Sequence, residues 1–130
     1  MLLVYLLPSI AWAAFILLLY SVPGDDIPSF DWMNLFSADK MAHVFVFLMM
    51  VLILQVALKR QPSSRWAANH AWQLALGFGL VYGGVLELFQ GVYSTGRFSD
   101  PIDFAANSLG SVLGIATFTL IYGRELAFGK

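Results

Sequence analysis

Three short stretches of an otherwise apolar chain carry residues that can hold an anion or move a proton. These residues are Asp39, Lys40, His43, Glu87, Gln90, Arg97, Asp103 and Asn107. Ammonium and guanidinium groups bind phosphates and carboxylates, so Lys40 and Arg97 are candidates for holding an anion. Imidazole and carboxyl groups transfer protons at neutral pH, which makes His43, Glu87 and Asp103 the candidates for acid–base catalysis.

Composition indicates that these residues belong to an integral membrane protein. The chain has 130 residues, of which 59% are hydrophobic and 12% charged, and its mean hydropathy is +0.75, outside the usual range of soluble domains. With only seven Lys and Arg and a formal net charge of -1, the chain lacks the basic surface that nucleic acid requires, so we expect no nucleic-acid partner. The absence of cysteine excludes disulfides and thiolate metal sites.

Four apolar windows are long enough to cross a bilayer, which takes about 20 residues as a helix. They run over about 2–20, 40–58, 72–92 and 101–122. We expect the first window to be an uncleaved span and not a signal peptide, because no basic segment precedes it and the apolar run continues past the small residues at 11–13. The sequence therefore predicts one all-α domain over residues 1–130, a bundle of four transmembrane helices.

The distribution of basic residues predicts the orientation of this bundle. Five of the seven fall in the central loop and the C-terminal tail, namely Lys59, Arg60, Arg65, Arg124 and Lys130. The first and third loops hold only Lys40 and Arg97. Because short cytoplasmic loops are enriched in Lys and Arg, both termini are expected in the cytoplasm.

In that topology, polar pairs three or four residues apart lie at the outer ends of three helices. The pairs are Asp39 and His43, Glu87 and Gln90, and Asp103 and Asn107. Each spacing puts both members on one helix face. A charge that faces lipid costs several kcal/mol, so these side chains are expected to point into the bundle and meet there.

Structural explanations compete with a functional one for several of these residues. Asp39 and Lys40 suit an interfacial anchor at a helix start, and Arg97 suits an ion pair that clamps a loop. One histidine among carboxylates is a weak metal signal, and hard oxygen ligands would favour Mg²⁺ or Ca²⁺ over zinc. We therefore expect no metal and no cofactor.

Small residues recur at the four-residue spacing that lets membrane helices approach closely. The pairs are Gly79 and Gly83 in the third window and Gly110 and Gly114 in the fourth. We interpret these glycines as packing positions and assign them no chemistry.

Three ordered motifs resemble the VanZ-like family of small bacterial membrane proteins. They are "ADKMAHVFVF" (38–47), "GGVLELFQ" (83–90) and "GRFSDPIDFAANSLGSVLG" (96–114). The resemblance implies that the eight residues named above, together with Gly110, occupy the family's signature positions. It also implies a multi-pass protein of the bacterial inner membrane. Because the founding member is associated with resistance to the glycopeptide antibiotic teicoplanin, the resemblance suggests a role in the cell envelope.

Two classes of function remain open from the sequence. In the first, the cluster binds or acts on a membrane lipid or a lipid-linked cell-envelope precursor. In the alternative, the protein is a non-catalytic accessory or scaffold subunit of a larger membrane complex. The sequence leaves open whether the protein is an enzyme, because no activated nucleophile is recognisable.

Overall fold

The fold is known from a computed structural model that describes residues 2–21, 38–93 and 101–129, without the side chains of Ala38, Asp39 and Tyr93. Within these ranges every regular element is an α-helix, as predicted. The helices are α1 (Leu2–Ser21), α2 (Ala38–Arg60), α3 (Arg65–Asn69), α4 (Ala71–Tyr93), α5 (Pro101–Tyr122) and α6 (Arg124–Phe128).

Four of the helices in the described ranges are long and apolar enough to span a membrane, namely α1, α2, α4 and α5. The four predicted windows are thereby confirmed. Large apolar side chains cover the outside of these helices; Leu18 and Val81 are each 68% exposed and Leu120 is 86% exposed. Such a surface would favour aggregation in water, but it is the normal lipid-facing surface of a transmembrane bundle.

Helix α2 lies at the centre of the bundle. It packs against α1, α4 and α5, and its contact with α5 is the most extensive. The main apolar core joins α1, α2 and α4 through Ile16, Phe47, Met50 and Leu86. A smaller core joins α2, α4 and α5 through Val51, Ala75 and Ile115.

Glycines on α5 bring its backbone against that of α2. A Cβ atom added at Gly110 would overlap the carbonyl oxygen of Val44, and one at Gly114 would lie 2.7 Å from the carbonyl oxygen of Leu48. Any larger residue would hold the two helices apart. The packing role predicted for Gly110 and Gly114 is therefore confirmed.

Glycines on α4 allow a similar approach to the other side of α5. A Cβ atom at Gly79 would lie 2.5 Å from Ser111 Oγ, and one at Gly83 would lie 3.1 Å from Asn107 Cβ. The side chain of Asn107 is therefore enclosed between helices, and its relative exposure is 0%.

Two short helices were not predicted. Helix α3 begins after Ser64, whose hydroxyl accepts a hydrogen bond from the Ala67 N–H at 3.1 Å and caps the helix. Helix α6 follows Gly123, whose φ of 92° ends α5 in a conformation that favours glycine. Phe128 of α6 packs edge-on against Trp72 of α4, with ring centroids 5.6 Å apart, so the C-terminal segment docks on the bundle.

Candidate functional site

The polar residues collect at one end of the bundle, which we call the polar end. It consists of the C-terminal turns of α1 and α4 and the N-terminal turns of α2 and α5. The residues of this polar cluster are Tyr20, Lys40, His43, Glu87, Gln90, Asp103 and Asn107. All of them except Lys40 are buried, although the surrounding helices are apolar. Because an unpaired polar group in an apolar environment is costly, each buried member must have hydrogen-bond partners.

Asn107, on the second turn of α5, holds the centre of the cluster together. Its amide nitrogen donates to the hydroxyl of Tyr20 at 2.9 Å, and its carbonyl oxygen lies 2.8 Å from Nδ1 of His43. The same Nδ1 lies 2.6 Å from the Tyr20 hydroxyl. One asparagine thereby connects α5 to both α1 and α2.

The Tyr20 hydroxyl extends this network to α4. It donates to Oε1 of Glu87 at 3.1 Å. Gln90 follows one turn later on the same face of α4 and is also buried. All four long helices thus contribute side chains to the cluster.

Lys40 and Asp103 form an ion pair at the edge of the cluster, where α2 and α5 begin. The ammonium group contacts Oδ1 of Asp103. The other carboxylate oxygen, Oδ2, lies 3.9 Å from Nε2 of His43. The side chain of Lys40 is 27% exposed and that of Asp103 is 8% exposed, so Lys40 forms the accessible rim and Asp103 faces the interior.

The structure brings together six of the eight candidates from the sequence, and it places them at one depth as the helix pattern suggested. They are Lys40, His43, Glu87, Gln90, Asp103 and Asn107. The side chain of Asp39 and the whole of Arg97 lie outside the described residues. That the assembled residues form a binding or catalytic site remains a prediction.

Tyr20 is the central residue that the sequence did not reveal. A tyrosine at the end of an apolar window is typical of an interfacial anchor, and nothing near it in the sequence marks it as a network residue. Its partners lie 23, 67 and 87 residues away along the chain. Its position along the bundle could have identified it, because Tyr20 lies at the end of α1 and this end must lie beside the start of α2, where His43 is found.

The arrangement has two chemically distinct parts. At the rim, Lys40 presents a cation that can attract an anionic group. Behind it, an imidazole and two carboxyl groups, from His43, Glu87 and Asp103, place ligand atoms within 4.8 Å of one another. Such an inner set can transfer protons to a group held at the rim, or it can bind a cation.

Comparison with known proteins identifies one family. The model of a protein family described as VanZ/LLP1 matches residues 2–122, which is nearly the whole chain and includes every member of the polar cluster. No curated protein and no solved structure matches the chain.

Proposed function

The chain belongs to the VanZ/LLP1 family, and from that premise we propose that its polar cluster binds the anionic headgroup of a membrane lipid or a lipid-linked cell-envelope molecule. The proposal includes the bacterial inner membrane as the location and the extracytoplasmic side as the position of the polar end. The antibiotic-resistance association of the family's founding member suggests the same cell-envelope setting.

The observation that carries this proposal is an apolar groove that ends at Lys40. The groove has a volume of about 480 Å³ and lies between α2 and α5 on the outside of the bundle. Its lining includes Phe45 and Leu48 from α2 and Ile102 and Leu109 from α5, alongside Lys40. Phe45, Ile102 and Leu109 are all exposed, so the groove opens toward lipid.

The shape of the groove suits an amphiphile. From Lys40 to Leu48 it follows two turns of α2, or about 12 Å at 1.5 Å per residue. An acyl or polyprenyl chain can occupy this apolar length while its phosphate or carboxylate reaches the ammonium group. The ligand's charge would then meet Lys40 at the rim, with His43, Glu87 and Asp103 directly behind it.

The experiment compares two lysines at opposite ends of α2. Wild type, Lys40→Gln and Lys59→Gln would be purified in mild detergent, and their retained lipids would be identified by native mass spectrometry. We expect the wild type to retain an anionic lipid or lipid-linked phosphate, Lys40→Gln to lose most of it, and Lys59→Gln to keep it. Lys40→Arg should also keep it, because that substitution preserves the charge.

Thermal stability measured on the same samples separates recognition from folding. If Lys40→Gln melts like the wild type but loses its lipid, Lys40 is a recognition residue. Two results would reject the proposal: a wild type that carries no specific anionic lipid, or equal lipid retention by all four proteins. A wild type that instead retains a second protein subunit would favour the accessory-subunit alternative.

A further inference from the structure

We propose that a second groove, at the end of the bundle opposite the polar end, binds an anionic phospholipid through Arg60. This Arg60 groove lies between the first turns of α1 and the last turns of α2 and α5, and its volume is about 410 Å³. Its lining includes Pro8 from α1, Val56 from α2 and Tyr122 from α5. It shares no lining residue with the groove that ends at Lys40, so this proposal does not depend on the one made above.

The groove is open because α1 does not close on the bundle at this end. The buried residues of α1 are Ser9, Ile16 and Tyr20, and none precedes Ser9. In the first turns of the helix, Val4 is 66% exposed and Tyr5 is 36% exposed. An apolar channel that faces lipid is therefore left between α1 and α2.

Three hydrogen-bond donors from three helices line this groove near the helix ends. They are the hydroxyl of Tyr5 at the start of α1, the guanidinium of Arg60 at the end of α2 and the hydroxyl of Tyr122 at the end of α5. Within the described part of the chain, none of these three groups forms a hydrogen bond or an ion pair. The ends of transmembrane helices lie at the depth of lipid headgroups, so the donors are placed where a headgroup can meet them.

A phosphate group fits this set of donors. The planar guanidinium of Arg60 can donate two parallel hydrogen bonds to a phosphate, and tyrosine hydroxyls can donate to its other oxygens. Lys59, Arg65 and Arg124 lie at the same end, and Glu125 is the only carboxylate side chain there within the described ranges. The local charge is therefore positive, which favours an anionic headgroup over a zwitterionic one.

The apolar part of the groove suits an acyl chain. From Leu52 to Arg60 the groove follows just over two turns of α2, or about 12 Å at 1.5 Å per residue. Ile53 and Val56 line this length and would contact a chain whose phosphate is held by Arg60. A phospholipid covers the charged and the apolar parts together, and a basic pocket between membrane helices is a recurring form of lipid site.

The test reconstitutes the protein into phosphatidylcholine vesicles that contain a small proportion of a photoactivatable lipid. The lipid is either phosphatidylglycerol or phosphatidylcholine, with the same photoactivatable acyl chain, and labelled residues are identified by mass spectrometry. One arginine near a membrane surface favours an anionic lipid by about 1 kcal/mol, or about 5-fold. We therefore expect phosphatidylglycerol to label residues 4–8 and 52–57 of the wild type about 5-fold more than phosphatidylcholine does.

Four variants separate recognition from general attraction by surface charge. Arg60→Gln should lose the preference for phosphatidylglycerol, and Arg60→Lys should keep most of it. Arg65→Gln is the matched control, because Arg65 is exposed at the same end but does not line the groove. Val56→Trp fills the groove one turn before Arg60 and should abolish the preference although the arginine is intact.

Several results would overturn the site. Equal labelling of the wild type by both lipids, or a preference that survives Arg60→Gln, would remove the role of the arginine. A preference that survives Val56→Trp would show that no groove is needed. Failure of either lipid to label these residues would show that a second copy of the chain or another protein covers the groove.

Labelling of residues 44–48 and 102–109 in the same samples reports on the polar-end groove. Arg60→Gln should leave that signal unchanged, and Lys40→Gln should leave the preference at the Arg60 groove unchanged. Loss of either signal alone therefore rejects only the corresponding proposal. If Arg60→Gln removes both signals, the residue supports the fold instead of recognising a lipid, and the site is rejected.

Discussion

Substituting Gly110 by alanine should separate the two helices that build most of the polar cluster. The new Cβ atom would overlap the carbonyl oxygen of Val44 and lie within 2.9 Å of its carbonyl carbon and 3.0 Å of its Cα atom. These are backbone atoms, so no side-chain rotation can relieve the overlap. Helices α2 and α5 must therefore move apart.

Gly77 supplies a matched control on α4, because a Cβ atom added there has nothing within 4 Å. Replacing glycine by alanine inside a helix gains at most about 1 kcal/mol in helix propensity at either position. At Gly110 the overlap opposes this gain, and overpacking typically costs about 1–3 kcal/mol. We therefore expect Gly77→Ala to be neutral or stabilising, with Gly110→Ala about 1–3 kcal/mol less stable than that control.

The same movement should weaken the cluster, since Lys40 and His43 on α2 face Asp103 and Asn107 on α5. The free energy of unfolding would be measured by denaturant titration in detergent micelles, and lipid retention would be determined on the same samples. Equal stability of the Gly110→Ala and Gly77→Ala proteins would refute the close approach of α2 and α5. Reduced stability with unchanged lipid retention would refute the link between this contact and the cluster.

Three further predictions concern other parts of the bundle. Tyr82→Phe removes a hydrogen bond of 2.6 Å to the Ala13 carbonyl and should lower the free energy of unfolding by about 0.5–1.5 kcal/mol, measured by the same titration. Gln61→Ala removes hydrogen bonds of 2.7 and 2.8 Å that close the α2–α3 loop on Ser64, so trypsin should cleave this loop faster. A topology reporter fused after Lys130 should be active only in the cytoplasm, because the basic loops favour that side.

Each of these predictions has a control or a contrary result. Tyr5→Phe alters an exposed tyrosine on α1 and should leave stability unchanged; a Tyr82→Phe protein as stable as this control would contradict the predicted hydrogen bond between α1 and α4. Gln73 is exposed on α4, and Gln73→Ala should not change the cleavage rate of the loop. A reporter that matures only outside the cytoplasm would reverse the proposed orientation.

The transmembrane helices could be predicted because their signal is local. An uninterrupted apolar run of sufficient length must form its backbone hydrogen bonds within itself once it enters a bilayer. The short helices depend on other information. Helix α3 needs the cap supplied by Ser64. Helix α6 docks through a contact between Phe128 and Trp72, two residues that are far apart in the sequence.

The candidate site could be predicted only in part, for a similar reason. Helical spacing placed Glu87 beside Gln90 and Asp103 beside Asn107, and the antiparallel order of the spans brought these pairs to one depth. Spacing could not show that Asn107 bridges Tyr20 and His43, because that contact depends on which faces of α1, α2 and α5 meet. The glycines on α4 and α5 set how closely α5 meets α2 and α4, through contacts that are visible only after folding.

The hydrogen bonds and exposure of the cluster residues indicate which of them hold the bundle together and which remain accessible from outside. Between membrane helices the hydrophobic effect contributes little, so close packing and hydrogen bonds must supply the association. Asn107 uses both ends of its amide inside the network and is fully buried, so its role is to hold α5 against α1 and α2. Lys40, in contrast, is partly exposed and lines the apolar groove. Under the lipid proposal, a ligand in this groove would therefore meet Lys40 first, while the network anchored by Asn107 keeps His43 in position.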